Sequence, residues 1–128
     1  MRRFAGRAGF SIFIGVGALM ARGLRLGANG IVPSVGNLIP DICHQLYTCA
    51  QRGDWAGVEL HAARMNVVAG LYQTGRTLGE SLAALKAALH CRGICEPNVL
   101  PPLSPLSEGE TQQLRGQMNQ LKLLNAAP

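Results

Sequence analysis

The chain has 128 residues, of which 48% are hydrophobic, 5% aromatic and 15% charged, and its formal net charge is +5. This composition excludes an intrinsically disordered chain, and the length excludes an enzyme with two complete domains. The excess charge comes from residues 1–40, which carry five arginines and no acidic residue, whereas residues 41–128 hold seven basic and seven acidic side chains. Because these arginines are spread along an apolar stretch and aromatic residues are scarce, we expect no nucleic-acid partner.

The N-terminal residues also have features of a secretory leader. A basic stretch at residues 1–9 precedes an apolar run at residues 10–21, and a leader of this kind would be cleaved near Ala21. However, Leu19 stands where a cleavage site favours a small residue, and the run is shorter than a membrane span and contains glycines. We therefore expect a cytoplasmic chain without a membrane segment, and a secreted or anchored helical protein is the alternative.

The first predicted elements are a strand, a helix and a second strand. Residues 10–14 (FSIFI) are β-branched and aromatic, and the glycines after them are typical of a buried strand's end. Residues 18–26 have apolar side chains at helical spacing, and Gly27 suits the position after a helix. A short apolar run follows at residues 31–32. This order is that of a βαβ unit, so we predict two parallel strands joined by a right-handed crossover.

The rest of the chain is predicted to be helical. Pro40 suits a first helical turn, and an apolar stripe predicts a helix that ends at Gly53. Asp54 is expected to cap the next helix. Four prolines within residues 95–106 disfavour both a helix and a central strand, so this segment is expected to be extended along the surface.

Capping boxes predict where the last two helices begin. In each, Ser or Thr precedes Glu by three positions, and the two pairs are Thr77–Glu80 and Ser107–Glu110. The first helix is expected to span residues 78–91 and to stop at Gly93, and the second is expected to reach about Leu124. Two strands followed by four helices is the predicted organisation. Because a sheet of two parallel strands is marginal by itself, the sequence predicts the end of a larger structure.

Several motifs resemble the dihydrodipicolinate synthase and N-acetylneuraminate lyase family of class I aldolases. They occur in the family's order, as GANGIVPSVGNLIP at 27–40, GDW at 53–55, AALKAAL at 83–89 and PPLSPLS at 101–107. The resemblance implies the C-terminal part of a (β/α)8 barrel. Residues 1–53 would hold the end of the sixth helix with strands seven and eight and their helices, and residues 54–128 would form the family's C-terminal helical extension.

The resemblance also implies which chemistry this chain lacks. In the family, a lysine on the sixth strand forms a Schiff base with a pyruvate-type keto acid, and a tyrosine on the fifth relays protons; both positions fall before Met1. Lys86 and Lys122 lie on amphipathic helices, where solvated ammonium groups are expected. Tyr47 and Tyr72 lie in apolar helical stripes and are expected in the core. We therefore expect no catalytic residue in this chain.

The residues that carry over by resemblance lie at the rim of the pocket, because barrel active sites lie at the carboxyl ends of the strands. Gly15 matches a family glycine whose backbone approaches the substrate, and Gly17 follows it in the same loop. Val32 matches an aliphatic residue that lines the pocket, and Ser34 matches a serine that contacts substrate hydroxyls in the sialic-acid lyases. The family often places acidic or hydroxyl residues after the glycine, whereas this chain has Val16, Gly17 and Ala18.

Other sites are not expected. A dinucleotide fingerprint would need a third glycine where Met20 stands, and the histidines and cysteines lack the spacing of a zinc site, so we expect no cofactor and no metal ion. The predicted function is that of a C-terminal portion of a Schiff-base-forming lyase or aldolase. It would bind a keto acid only with the rest of the barrel supplied, in a homo-oligomer or by a complementing chain. The first alternative is a stand-alone helical interaction or regulatory module, and the second is the secreted or anchored helical protein with residues 1–21 as its leader.

Overall fold

The computed structural model describes residues 7–124. The seven elements are, in chain order, β1 (Phe13–Ile14), α1 (Met20–Arg25), β2 (Gly30–Ile31), α2 (Pro40–Gln51), α3 (Trp55–Gln73), α4 (Leu78–Cys91) and α5 (Glu108–Gln120). Short 3-10 turns at Gly17–Leu19 and Ser34–Asn37 follow the two strands. The described part of the chain is thus mostly helical with two strands, and the predicted order of elements is confirmed.

The two strands pair in parallel, as predicted, with Phe13 opposite Gly30 and Ile14 opposite Ile31. β1 is shorter than the predicted strand at residues 10–14, and β2 begins one residue before the predicted run at residues 31–32. Each strand contributes only two residues to the ladder. The pairing is extended by Asn29, whose side-chain oxygen accepts a hydrogen bond from the amide of Ile12 at 2.8 Å. A side chain therefore replaces the backbone partner that a longer strand would supply.

Helix α1 packs closely against the sheet through Gly23. A Cβ atom at Gly23 would lie 2.9 Å from Cδ1 of Ile14 and would also overlap other atoms of that side chain, so Ile14 fills the space that the glycine leaves. Ile14 therefore points to the helical side of the sheet. Because side chains alternate along a strand, Phe13 points to the opposite side, where 60% of its surface is exposed.

The chain divides into two compact units, Met1–Val67 and Val68–Pro128. The first has a core of fully buried side chains that includes Met20, Leu38, Leu46 and Val58. On its surface the Arg25 guanidinium lies 5.0 Å from the centre of the Trp55 ring and 3.6 Å from the Glu59 carboxylate. The second unit has its own core, which includes Tyr72, Ala84, Ala88, Leu114 and Met118. The predicted division is a different one, since it separates the barrel part at residues 1–53 from the helical extension at residues 54–128. That division stays a prediction.

The predicted helix starts are confirmed in atomic detail. The Asp54 carboxylate accepts a hydrogen bond from the Gly57 amide at 2.9 Å, at the N-terminus of α3. Both capping boxes form: the Thr77 and Ser107 hydroxyls accept from the amides of Glu80 and Glu110, whose carboxylates accept in return from the amides of Thr77 and Ser107.

The helix stops are confirmed with one exception. Gly27, Gly53 and Gly93 each follow a helix in the left-handed region, as predicted. Helix α5, however, ends at Gln120 and not near Leu124, because Lys122 adopts a φ of 56° and the Leu123 amide donates back to the Met118 carbonyl at 2.9 Å. A lysine thus occupies the left-handed position that a glycine usually takes.

The N-terminal segment includes β1 and the beginning of α1. Residues 1–6 of the leader alternative lie outside the described residues. No helix within residues 7–124 is both long enough and apolar enough to cross a membrane.

Candidate functional site

The carboxyl ends of β1 and β2 lie at one edge of the sheet, because the strands are parallel. Gly15 and Val32 directly follow the two strands there. The Val32 amide donates to the Ile14 carbonyl at 2.9 Å, and a Cβ atom on Gly15 would lie 4.0 Å from the Val32 carbonyl oxygen. The structure therefore places two of the four predicted rim residues side by side.

The other two rim residues begin the turns that follow the strands. Gly17 opens the 3-10 turn after β1, and Ser34 opens the one after β2. The Ser34 carbonyl accepts a hydrogen bond from the Asn37 side-chain amide at 2.9 Å, which holds that turn. Ser34 is exposed at this edge. The contact of any of the four residues with a substrate stays a prediction.

The surface around this edge is mainly apolar. Val32 is 64% exposed and Val16 is 59% exposed, although both side chains are aliphatic. Phe13 adds a third exposed apolar side chain, on the side of the sheet that faces away from α1. Large exposed apolar patches on a protein usually mark a surface that something else covers. This edge and this face are therefore open to further strands or to a ligand.

Sequence analysis missed one polar side chain at this edge. The side-chain oxygen of Asn66, on α3, lies 3.7 Å from where a Cβ atom of Gly17 would stand. The Asn66 amide therefore lies beside Gly17, at an ordinary contact distance from a Cβ atom placed there. Nothing in the sequence signals this approach, because Asn66 is an exposed helical residue.

Lys86 and Tyr72 lie where the sequence predicts, whereas Lys122 lies beyond the end of α5 and not on a helix, and Tyr47 is only half-buried and not in the core. Lys86 is half-buried on α4, and Lys122 follows α5. The Tyr47 hydroxyl donates to the Asn29 carbonyl at 3.1 Å, which ties α2 to the start of β2. Tyr72 is buried, and its hydroxyl oxygen accepts a weak hydrogen bond from Gln73 at 3.4 Å. The two hydroxyls therefore have structural partners.

The titratable groups with shifted pKa values are cysteines and glutamates. Burial raises the pKa of the Cys43 and Cys91 thiols, and both cysteines are on helices. The carboxyl pKa of Glu80 is lowered by the hydrogen bonds from Thr77, and that of Glu110 by those from Ser107. Within residues 7–124 no three His, Cys, Asp or Glu side chains are grouped so that they could hold a metal ion.

Comparison with known proteins reveals one family across nearly the whole chain. The model of the dihydrodipicolinate synthetase family matches residues 2–121. A 4-hydroxy-tetrahydrodipicolinate synthase of Alkalilimnicola ehrlichii is 27% identical over 107 residues, which are 84% of this chain and 36% of that protein. An uncharacterized DapA-like lyase of Halobacterium salinarum is 32% identical over 112 residues, 86% of this chain and 35% of that protein.

Solved structures agree with this match. The dihydrodipicolinate synthase of Bacteroides thetaiotaomicron superposes with a TM-score of 0.80 at 27% identity, over 90% of this chain and 39% of that chain. Escherichia coli K12 YagE, a member of the same family solved in complex with pyruvate, superposes with a TM-score of 0.74 at 28% identity, over 89% of this chain and 38% of that chain.

The chain spans 35% and 36% of the length of these two curated relatives, so it corresponds to roughly a third of a typical member. The matched region contains the motifs at 27–40, 53–55, 83–89 and 101–107 that first indicated the resemblance. The family model, the relatives and the superposed structures all agree, and the chain belongs to the dihydrodipicolinate synthetase family.

Proposed function

We propose that this chain is the C-terminal portion of a Schiff-base-forming class I lyase or aldolase that acts on pyruvate-type 2-keto acids. In this proposal β1 and β2 are the seventh and eighth strands of a (β/α)8 barrel, and α3 to α5 belong to the helical extension. The observation that carries it is the parallel β1–β2 pair, whose carboxyl ends meet at an open edge within a chain that matches the family over residues 2–121.

The proposed role of the chain is to complete the pocket and not to supply its nucleophile. Gly15, Gly17, Val32 and Ser34 would form part of the rim, with backbone groups and one hydroxyl toward the keto acid. A Schiff-base lysine must be partly desolvated, so that its amine is uncharged near neutral pH and attacks the keto carbon. That lysine would come from further barrel strands, in the same polypeptide or in a complementing chain.

We expect that the 128-residue chain alone does not form a Schiff base. Lys86 lies on α4 and Lys122 follows α5, so neither lies on a strand. In the trapping reaction an amine adds to the keto carbon of pyruvate, water leaves to give an imine, and borohydride reduces it to a stable secondary amine. Mass spectrometry of the intact chain after treatment with pyruvate and borohydride should detect no adduct.

The informative comparison adds the rest of a barrel. When the chain is refolded with a polypeptide that carries the first six β/α units of a relative, the adduct should form on that polypeptide's lysine and depend on this chain. A variant of this chain with K86R and K122R should support the same adduct. Pyruvate trapped on Lys86 or Lys122 would contradict the proposal, and so would an adduct that forms equally well without this chain.

A further inference from the structure

A groove of about 380 Å³ lies in the second unit. One wall is the last turn of α4, the other is the first two turns of α5, and segment 94–106 closes it between them. Its volume falls within the range of about 300–1,000 Å³ that is usual for small-molecule sites. Nothing in the proposed barrel function uses this groove.

The groove is lined by apolar side chains from α4 and segment 94–106 and by a polar wall. Pro97, Pro105 and Leu106 contribute apolar surface from the proline-rich segment, and Ala87 contributes more from α4. The polar wall comes from α5, where side chains at helical spacing face the groove. An apolar body with one polar head is the shape of ligand that such a lining accommodates.

Arg115 is the cation of this wall, and its guanidinium is available. Arg25 pairs with Glu59, and Arg76 donates to the Leu71 carbonyl at 3.2 Å, whereas Arg52 and Arg64, like Arg115, have no such contact within residues 7–124 but do not line this groove. Arg115 has no hydrogen bond or ion pair to any residue in the range 7–124. Burial raises the pKa of the Cys91 thiol on the facing wall, and the positive charge of Arg115 acts against this rise. The charge of Arg115 is therefore felt by a residue that lines the groove.

The opposite end of the groove is negative. Glu108 also lines it, seven residues before Arg115 on the same helix, which places the two about 10 Å apart along the helix axis. His90 lines the groove too, but its Nδ1 atom faces the Cys95 carbonyl oxygen at 3.1 Å and the Glu96 carboxylate at 3.9 Å. At one end of the groove the Arg115 guanidinium has no partner among the described residues. At the other end the Glu108 carboxylate would repel a second anionic group of a ligand.

We infer that this groove binds a small organic monocarboxylate, whose carboxylate pairs with Arg115 while its apolar body lies against Pro105 and Leu106. The planar guanidinium donates two parallel hydrogen bonds to a carboxylate, and the neighbouring Gln112 amide lies one helical turn away on the same wall. Because the Glu108 carboxylate would repel a second carboxylate, the groove should prefer a monocarboxylate over a dicarboxylate of similar size. The inference goes beyond the proposed lyase function and does not depend on it.

The test is a titration of the isotopically labelled 128-residue chain, followed by NMR. Phenylacetate is the probe, phenylacetamide is its neutral counterpart, and phenylsuccinate is the dicarboxylate. Phenylacetate should shift amide resonances of the α4 C-terminus, segment 94–106 and the first turns of α5. Phenylacetamide and phenylsuccinate should bind at least about tenfold more weakly, since hydrogen bonds to charged groups contribute about 1.5–3 kcal/mol.

Variants distinguish the contribution of the Arg115 guanidinium to phenylacetate binding from the effect of positive charge elsewhere on the chain. R115Q should weaken phenylacetate binding at least about tenfold, and R115K should weaken it less because the charge remains. R52Q, which removes the same charge from α2's C-terminal end in the other unit, should leave binding unchanged. E108Q should tighten phenylsuccinate binding. Equal binding of phenylacetamide, unchanged binding by R115Q, or shifts spread outside the groove would overturn the inference.

Discussion

At the scale of single residues, the contact between Gly23 and Ile14 limits what the α1–sheet interface tolerates. Gly23 is buried, and a Cβ atom there would lie 2.9 Å from Cδ1 of Ile14. In an exposed helix, replacing glycine by alanine stabilises by about 1 kcal/mol. Here the extra methyl group has no room, and overpacking of a core site costs about 1–3 kcal/mol.

We therefore expect G23A to lower the free energy of unfolding by up to about 2 kcal/mol, because overpacking costs about 1–3 kcal/mol and the gain in helix propensity offsets only about 1 kcal/mol of it. Urea unfolding followed by circular dichroism measures this change. The matched control is G116A on α5, where no atom lies within 4 Å of the added Cβ, and it should stabilise by about 0.5–1 kcal/mol. Stabilisation by both substitutions would show that Ile14 moves aside without cost.

Sequence patterns do not predict this contact. Gly23 lies within the predicted helix 18–26, where a glycine is only a weak helix former. Its role depends on which residue of β1 faces the helix, and this is set by the register of a two-residue ladder. Lys122 is a second case, since a lysine carries no signal for the left-handed conformation in which it ends α5.

At the scale of elements, the capping boxes explain why helix starts are predictable. The hydrogen bonds that define α4 and α5 join residues three positions apart, so the sequence contains the whole interaction. The extent of the strands is less predictable than the helix starts, because the length of β1 depends on the hydrogen-bond partners that β2 and Asn29 supply from elsewhere in the chain. For this reason the predicted strand at residues 10–14 is confirmed in position but not in extent.

The same carboxylates make the two helices sensitive to acid. Hydrogen bonds from Thr77 and Ser107 lower the pKa of Glu80 and Glu110 from their ordinary value of 4.5 in the folded state. A carboxyl group whose pKa is lower when folded stabilises the protein above its unfolded pKa, and this stability is lost as the pH falls through the folded pKa.

We expect the urea midpoint of the chain to fall as the pH is lowered from 6 to 3, with the loss concentrated below about 4.5. The E80Q/E110Q double variant should keep part of the caps through the glutamine amides and show a weaker dependence on pH over this interval. E59Q is the control, because Glu59 has no part in either box. An identical pH dependence for E80Q/E110Q and E59Q would show that other groups cause the acid sensitivity.

At the scale of the whole molecule, the open sheet dominates the expected behaviour. Within residues 7–124 the sheet has only two strands, so each has one edge without a backbone partner. The exposed side chains of Phe13 and Val32 add an apolar surface beside these edges. Exposed edges and apolar faces promote association with other strands.

We therefore expect the isolated chain to self-associate at micromolar concentrations through this sheet. V32K should weaken the association at least about fivefold in sedimentation velocity, because a charge at a strand edge opposes pairing. L100K is the matched control, since Leu100 is 83% exposed and lies outside the sheet. A monomeric chain, or an equal effect of L100K, would contradict this prediction.

The candidate site was predictable where topology alone determines it. Parallel strands bring Gly15 and Val32 to one edge, so recognising the βαβ unit was enough to place them together. The approach of Asn66 to Gly17 was not predictable, because it depends on how α3 packs within the first unit. The Arg115 groove was not predictable either, because it needs the path of segment 94–106 between two helices.

Trp55, which lies beneath the Arg25 guanidinium, is the single tryptophan of the chain. Its emission is therefore an optical reporter of the first unit only, whereas the ellipticity of α4 and α5 comes from the second. The total ellipticity also includes α1, α2 and most of α3, so it follows both units: coincident midpoints of emission and ellipticity mean that the units melt as one cooperative block, and separated midpoints mean that the second unit melts apart from the first.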